Sequence, residues 1–357
     1  MMSHRILSIT APEEWMQTLL SLPVSCRDVY FTPQYHYLHT QEDSAQAICL
    51  KYQENELTWC FPGLLNPIDK IGRVALPKGL FDLETAYGYG GPLSNSQDQD
   101  FLTRANQAFI EWAESNGIVA QFIRFHPLLS NEQWIKDDQL EIVFDRFTLS
   151  ENISYYNAAL PHYPKSARNA IDRGKRLGIE TRVLDVDQWF PAFLDLYQKA
   201  MLKLGAESYY FFNRDYFNQL SSLVKDHGLL IGAMFKQKII AAAIFLCGPN
   251  MMHYHLSASD FDNRLPGATN MILDLAFQEA KSMGLSQVHM GGGRTSAPDD
   301  SLLLFKKSMS TDTHCFHIGK RIYNMATYKD LVAIWEQEYP SLVEHYQNRL
   351  LRYRYQP

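Results

Sequence analysis

The chain lacks most of the motifs that would assign a function directly. Its five cysteines (Cys26, Cys49, Cys60, Cys247, Cys315) are scattered and contain no CxxC pair. That excludes a zinc ribbon and a paired disulfide framework, and it leaves reduced thiols suited to a reducing compartment. GxSxG, P-loop and HExxH motifs do not occur, so serine-hydrolase, nucleoside-triphosphatase and zincin chemistry have nothing to stand on. No apolar run approaches the ~18 residues of a membrane span, and the opening MMSHRILSIT holds no apolar signal core. A cytoplasmic protein without a membrane span is expected. Positive charge is also short: 39 acidic against 33 basic residues leave a net charge of −6. DNA as a target is therefore disfavoured, because phosphate neutralisation calls for a basic protein. Local basic patches still suit a nucleotide, a pyrophosphate or the acceptor end of a tRNA.

What is present is ordinary globular chemistry, and 357 residues suffice for two domains. The first half reads as a helix at 12–22, strands at 45–52, 57–63 and 71–76, then the loop Tyr87-Gly-Tyr-Gly-Gly-Pro-Leu-Ser-Asn95. A helix over 98–114 follows, stops at Asn116-Gly117, and leads into a strand ending in Arg124-Phe-His-Pro127. The second half reads as helices at 186–204 and 214–225, then three strands at 229–235, 239–246 and 251–257. A helix over 268–282 ends at Met283-Gly284, and a strand at 287–290 runs into Gly291-Gly-Gly293-Arg294. The helix–Gly–strand unit around Gly117 recurs around Gly284 at a domain-sized interval, which predicts a duplicated α/β domain with its boundary near 151–164.

Three segments could carry chemistry. Gly291-Gly-Gly293 follows a strand but lacks dinucleotide-fingerprint spacing. His253 and His255 share one face of a strand, but no further ligands are marked, so no metal is expected. Arg264-Leu-Pro-Gly267-Ala268-Thr269 matches an Arg/Gln-x-x-Gly-x-Gly/Ala phosphate loop in all but its last position, with backbone N–H groups at a helix N-terminus to cradle an anion.

The run from Tyr254-His-Leu-Ser-Ala258 through Gly291-Gly-Gly293 to Leu304-Phe-Lys-Lys307 resembles the second GNAT-like domain of the FemAB family. The basic segment Lys165-Ser-Ala-Arg168 through Gly178 resembles the helix that opens that domain. Tyr87-Gly-Tyr-Gly-Gly-Pro92 and Ile123-Arg-Phe-His-Pro127 resemble first-domain segments of FemAB-like proteins. The resemblance implies an α/β fold of two tandem GNAT-like domains with mixed central sheets, taken as 1–155 and 156–357. It further implies an acyltransferase that moves an acyl or aminoacyl group onto an amine of a cell-envelope sugar or peptide precursor.

No cofactor would be bound permanently. Acyl-CoA or aminoacyl-tRNA would be the co-substrate, with Arg264, Gly267 and Ala268 at the acyl-CoA cradle. Lys306, at the family's Phe-Lys position, would lie near the acyl carbonyl, where a cation can stabilise the tetrahedral oxyanion. The alternative for Lys306 and Lys307 is a solvated helix face. His255, Tyr254 and Glu207 are the candidate proton acceptors. Lys165 and Arg168 would suit the diphosphate of a nucleotide-sugar acceptor, and Tyr87, Tyr89, Arg124 and His126 an acceptor pocket. A catalytically silent GNAT-like binding protein is the competing reading from another class. Oligomeric state is left open.

Overall fold

The computed structural model describes residues 6–40, 45–158, 162–205 and 211–356; the candidate base Glu207 lies outside them. Two compact units result, one of Met1–Cys26, Tyr30–Asp145 and Phe316–Pro357, the other of Arg27–Val29 and Arg146–Cys315. This differs from consecutive halves divided at 155. The chain changes unit inside a strand, and the residues after Cys315 return to the first unit. A sequence-local reading follows the chain in order and does not register such a return.

The first unit holds β1 (Leu7–Ile9), α1 (Pro12–Leu20), α2 (Pro33–Tyr37), β2 (Gln46–Glu54), β3 (Leu57–Pro67), β4 (Lys70–Ile71), β5 (Val74–Ala75) and β6 (Phe81–Glu84). β7 (Leu93–Ser94), α3 (Gln99–Ser115) and β8 (Ile118–Arg124) follow. β9 (Glu141–Asn152) begins here and ends in the second unit. There follow α4 (Lys165–Arg176), β10 (Glu180–Leu184), α5 (Val186–Leu204), α6 (Arg214–His227), β11 (Gly228–Phe235), β12 (Lys238–Cys247) and β13 (Met251–Ser259). Then come α7 (Ala268–Ser282), β14 (Gln287–Gly292) and α8 (Ser301–Lys307). β15 (Asp312–Ile322), α9 (Met325–Glu338) and α10 (Val343–Tyr346) complete the chain.

Local chemistry explains most of these boundaries. Asp98, Asp185, Asn213 and Asp300 each cap a helix by accepting backbone N–H bonds of its first turn. The β11–β12 hairpin turns on Lys236 and Gln237, both at positive φ (47° and 63°), the twist a two-residue turn demands. The expected strand at 71–76 is instead the tiny β4–β5 hairpin.

Each unit, taken by itself, has the same topology. In the first, β1, β2, β3 and β6 pair antiparallel in sequence, β6 pairs parallel with β8, and β15 closes the sheet antiparallel to β8. In the second, β10 to β13 form the antiparallel run, β13 pairs parallel with β14, and β9 closes antiparallel to β14. The parallel step needs a crossover helix. α3 supplies it in the first unit and α7 in the second, each ending before a glycine at φ +72°, Gly117 or Gly284. In the second unit, α4, α7 and α8 pack on one face of the sheet over a core that includes Ala243, Phe245, Met252, Met271, Phe277 and Met290. α5 and α6 pack on the other.

Candidate active site

β13 and β14 run parallel and in register for three pairs only: Met251↔Gln287, Met252↔Val288 and His253↔His289. Beyond that level each strand is irregular. Against β12 the pairing jumps from Phe245↔Tyr254 to Ile244↔Leu256, skipping His255. Against β9 it jumps from His289↔Ser150 to Gly291↔Leu149, skipping Met290. Bulges bend and twist a strand, and two at one level part the strands. The opening lies at the carboxyl ends of a parallel pair, where α/β sheets place ligands. The crossover loop that starts α7 leaves β13 at that same end.

Lys306 sits at this opening. α8 carries Leu303 and Lys306 inward and leaves Lys307 exposed. Lys306 Nζ donates to the Gly292 carbonyl at 2.7 Å and lies 5.6 Å from the centre of the Tyr254 ring. Only 7% of Lys306 is exposed, so the solvated-face alternative does not hold. Burial lowers its pKa to about 7, with the Asp300 carboxylate pulling the other way. Asp300 itself is held by the N–H groups of Leu302 and Leu303.

The other two candidate catalytic residues point apart. The Tyr254 ring packs on Phe245, and burial raises its pKa to about 12. It is a neutral phenol near pH 7, not a proton acceptor. His255, on the α6 side of the sheet, meets the Tyr216 hydroxyl at 3.2 Å. Burial first and the charge of His253 second lower its pKa to about 3. So weak a base holds no proton near neutrality, and the expectation that His255 relays the proton is corrected. Adjacent strand residues face opposite sides, so Tyr254 meets Lys306 while His255 meets Tyr216.

The phosphate-loop candidates lie at the start of α7. Gly267 has φ +87°, and a Cβ there would stand 2.0 Å from the Ala170 carbonyl of α4. Close helix packing is thus enough to explain the glycine. No side chain caps this helix end, Ala268 is buried, and Arg264 is exposed with its guanidinium 6.0 Å from the Phe261 ring centre. Lys165 and Arg168 are exposed on α4.

In the first unit, Tyr89 packs edge-on to Tyr30, His126 and Phe316. Fully buried His126 donates its backbone N–H to Asn131. The Tyr87 carbonyl accepts from the Tyr35 hydroxyl at 2.6 Å. Arg124 lies over Phe122, 4.0 Å from the Glu84 carboxylate. Tyr89 and His126 therefore share an aromatic cluster, while Arg124 belongs to a charged one.

The comparisons with known proteins agree with this geometry. Residues 162–298 match the family model described as an acetyltransferase (GNAT) domain. The match falls within the second unit. Over most of the chain the fold is similar to solved structures. The crystal structure of FemX aligns with a TM-score of 0.68 at 12% identity over 90% of this chain and 99% of that one. A conserved protein of unknown function from Bacteroides thetaiotaomicron aligns at 0.59, 11% identity, 88% and 99%. L-PGS from Bacillus licheniformis aligns at 0.57, 12% identity, 91% and 97%. The chain matches none of the curated protein sequences. No helix among the described residues is long and apolar enough to cross a membrane.

Two polar groups of the GNAT-bearing unit escaped the sequence reading. Asp28 Oδ2 lies 2.5 Å from His253 Nε2, and His253 Nδ1 lies 3.4 Å from His289 Nδ1, all three buried. Asp28 stands 225 residues from its partner, and no local pattern marks it. Glu151 is fully buried, 3.4 Å from His162, and burial raises its pKa to about 8. Its place in a strand is the only sequence signal it carries.

Proposed function

We propose that this protein is an N-acyltransferase that moves an acyl or aminoacyl group onto the amine of a cell-envelope sugar or peptide precursor. The chemistry takes place in the opening between β13 and β14. One observation carries the reading: a buried lysine, at a pKa matched to neutral pH, bridges the two parting strands. Neutral Lys306 accepts the proton that the amine loses as its nitrogen attacks the acyl carbonyl. The resulting ammonium then faces the developing oxyanion. The new C–N bond forms as the bond from the carbonyl to the leaving sulfur or oxygen breaks, and Lys306 returns its proton to the leaving group. Tyr254 walls the lysine off from water, which strengthens both steps.

Acyl-CoA is favoured over aminoacyl-tRNA as donor. The start of α7 presents backbone N–H groups that no side chain caps, beside Arg264, Gly267 and Ala268, and that arrangement suits a pyrophosphate. The net charge of −6 gives little purchase on a long polyanion. The envelope acceptor follows from the FemAB resemblance. Tyr87, Tyr89, Arg124 and His126 remain substrate-binding candidates of the first unit.

The test is a thermal-shift series with CoA thioesters, nucleotide-sugars and aminoacyl-tRNA, followed by a thiol-release assay on whatever binds. A ligand present at about 100 times its Kd adds about 2.7 kcal/mol of stability. Stabilisation by a CoA thioester with acceptor-dependent thiol release is the expected result. A shift with no turnover in any combination would leave a silent GNAT-like binding protein. A shift with aminoacyl-tRNA alone would reassign the donor.

A further inference from the structure

The basic helix α4 presents its charge outward. Lys165, Arg168, Arg173, Lys175 and Arg176 are all exposed, while Ala167, Ile171 and Gly174 form the buried stripe. That stripe is committed to α7: a Cβ on Gly174 would come within 2.7 Å of the Met271 sulfur. The cations therefore occupy the arc directed away from the unit. Among the described residues, none of the five is in an ion pair. The only acid on the helix is Asp172, whose backbone carbonyl accepts from Arg176 Nε at 3.3 Å. Five cations and one acid on twelve residues stand out in a chain whose net charge is −6.

Two features decide what such a face fits. A single diphosphate is gripped by a few convergent donors. These cations are spread along about 18 Å of convex helix, at 1.5 Å rise per residue. Such an array meets a flat, extended anionic surface better than a small ligand. A nucleic acid would extend beyond the helix onto a body that is acidic overall, whereas a bilayer touches only the face turned toward it. Leu177, 43% exposed, closes the helix with an apolar side chain.

We infer that α4 docks this protein on an anionic lipid surface, by electrostatic attraction and without insertion, since its apolar stripe is already buried. The inference goes beyond the acyl-transfer reading and does not depend on it. Its consequence is a substrate presented at a membrane.

The test is co-sedimentation of the full chain with phosphatidylcholine vesicles, with and without about one-third phosphatidylserine. The expected result is binding to the anionic vesicles alone, lost when salt rises from about 0.05 to about 0.5 M. At about 1 kcal/mol per cation near the surface, the triple variant Arg173→Gln/Lys175→Gln/Arg176→Gln should bind roughly 100-fold more weakly. Arg173→Lys/Arg176→Lys, which keeps the charge, should bind like the parent and so controls for folding. Equal binding to neutral vesicles would overturn the proposal, as would no loss in the triple variant. Tighter binding to a duplex RNA oligonucleotide than to the anionic vesicles would overturn it too, by assigning the face to nucleic acid. These readouts involve no acyl transfer, so they fail or succeed separately from the proposed activity.

Discussion

Lys306 Nζ and the Gly292 carbonyl, 2.7 Å apart, tie the last turn of α8 to the final residue of β14 at the level where β14 has left β13. A lysine so placed is 7% exposed and has lost most of its water. Its lowered pKa and its position at the opening have the same cause, and both can be tested by replacing it.

Lys306→Met should lower turnover by roughly 10²–10³, the scale of losing one oxyanion donor. In the parent, kcat should climb through pH about 7 as Lys306 loses its proton, and the variant should lack that limb. Lys306→Arg should not restore activity, because a guanidinium keeps its proton. His255→Asn should leave the limb in place. A parent-like rate in Lys306→Met, read by thiol release across pH, would remove Lys306 from the mechanism.

The same lysine sets a stability trend. Its pKa is about 7 folded against an ordinary 10.5, so between those values the unfolded chain binds more protons and the parent gains stability as pH rises. Lys306→Met has no such term. Relative to the parent, it should be most stable below pH 7 and lose that advantage steadily above it, by on the order of a few kcal/mol in all. Loss of the Gly292 bond adds a constant offset. Denaturant midpoints at several pH values measure the slope, and a flat difference would show that Lys306 is not buried as a charge.

Glu151 gives the opposite sign. Its folded pKa is about 8 against an ordinary 4.5. Within that window the unfolded chain ionises first, so the parent loses stability as pH rises. Glu151→Gln should therefore gain on the parent between pH 4.5 and 8 and hold the gain above. Melting temperatures at about pH 5 and about pH 8 decide it. An equal difference at both would show that the carboxyl is ionised throughout.

Two glycines with the same backbone hand should differ in cost. Gly284 at φ +72° has nothing within 4 Å of an added Cβ, so Gly284→Ala should cost only the left-handed penalty, about 1–2 kcal/mol. Gly267 at φ +87° would push a Cβ to 2.0 Å from the Ala170 carbonyl. Gly267→Ala should add a packing cost of about 1–3 kcal/mol to the same penalty. Equal losses on urea unfolding would mean that α4 yields easily.

Much of the second unit was legible residue by residue. Helices 186–204 and 268–282 appear with the expected bounds, because caps, helical periodicity and terminal glycines are local signals. The repeated helix–Gly–strand unit correctly foretold the shared crossover at Gly117 and Gly284. The sequence also singled out Lys306, Tyr254 and the basic helix as residues of interest.

What each of them does was settled by packing. Lys306 and Lys307 are chemically alike and adjacent, and only the docking of α8 on β14 makes one a buried amine near pKa 7 and the other a solvated cation. Tyr254 and His255 are neighbours as well, yet strand alternation sends one to Lys306 and the other to Tyr216. Gly267 looked like a phosphate-loop glycine, and the approach of α4 gives it a packing reason of its own. Asp28 and the return of β15 to the first unit left no local trace at all, and Glu151 none beyond its place in a strand. They depend on contacts between residues far apart in the chain, and burial, which sets pKa and hydrogen bonding, exists only once those contacts have formed.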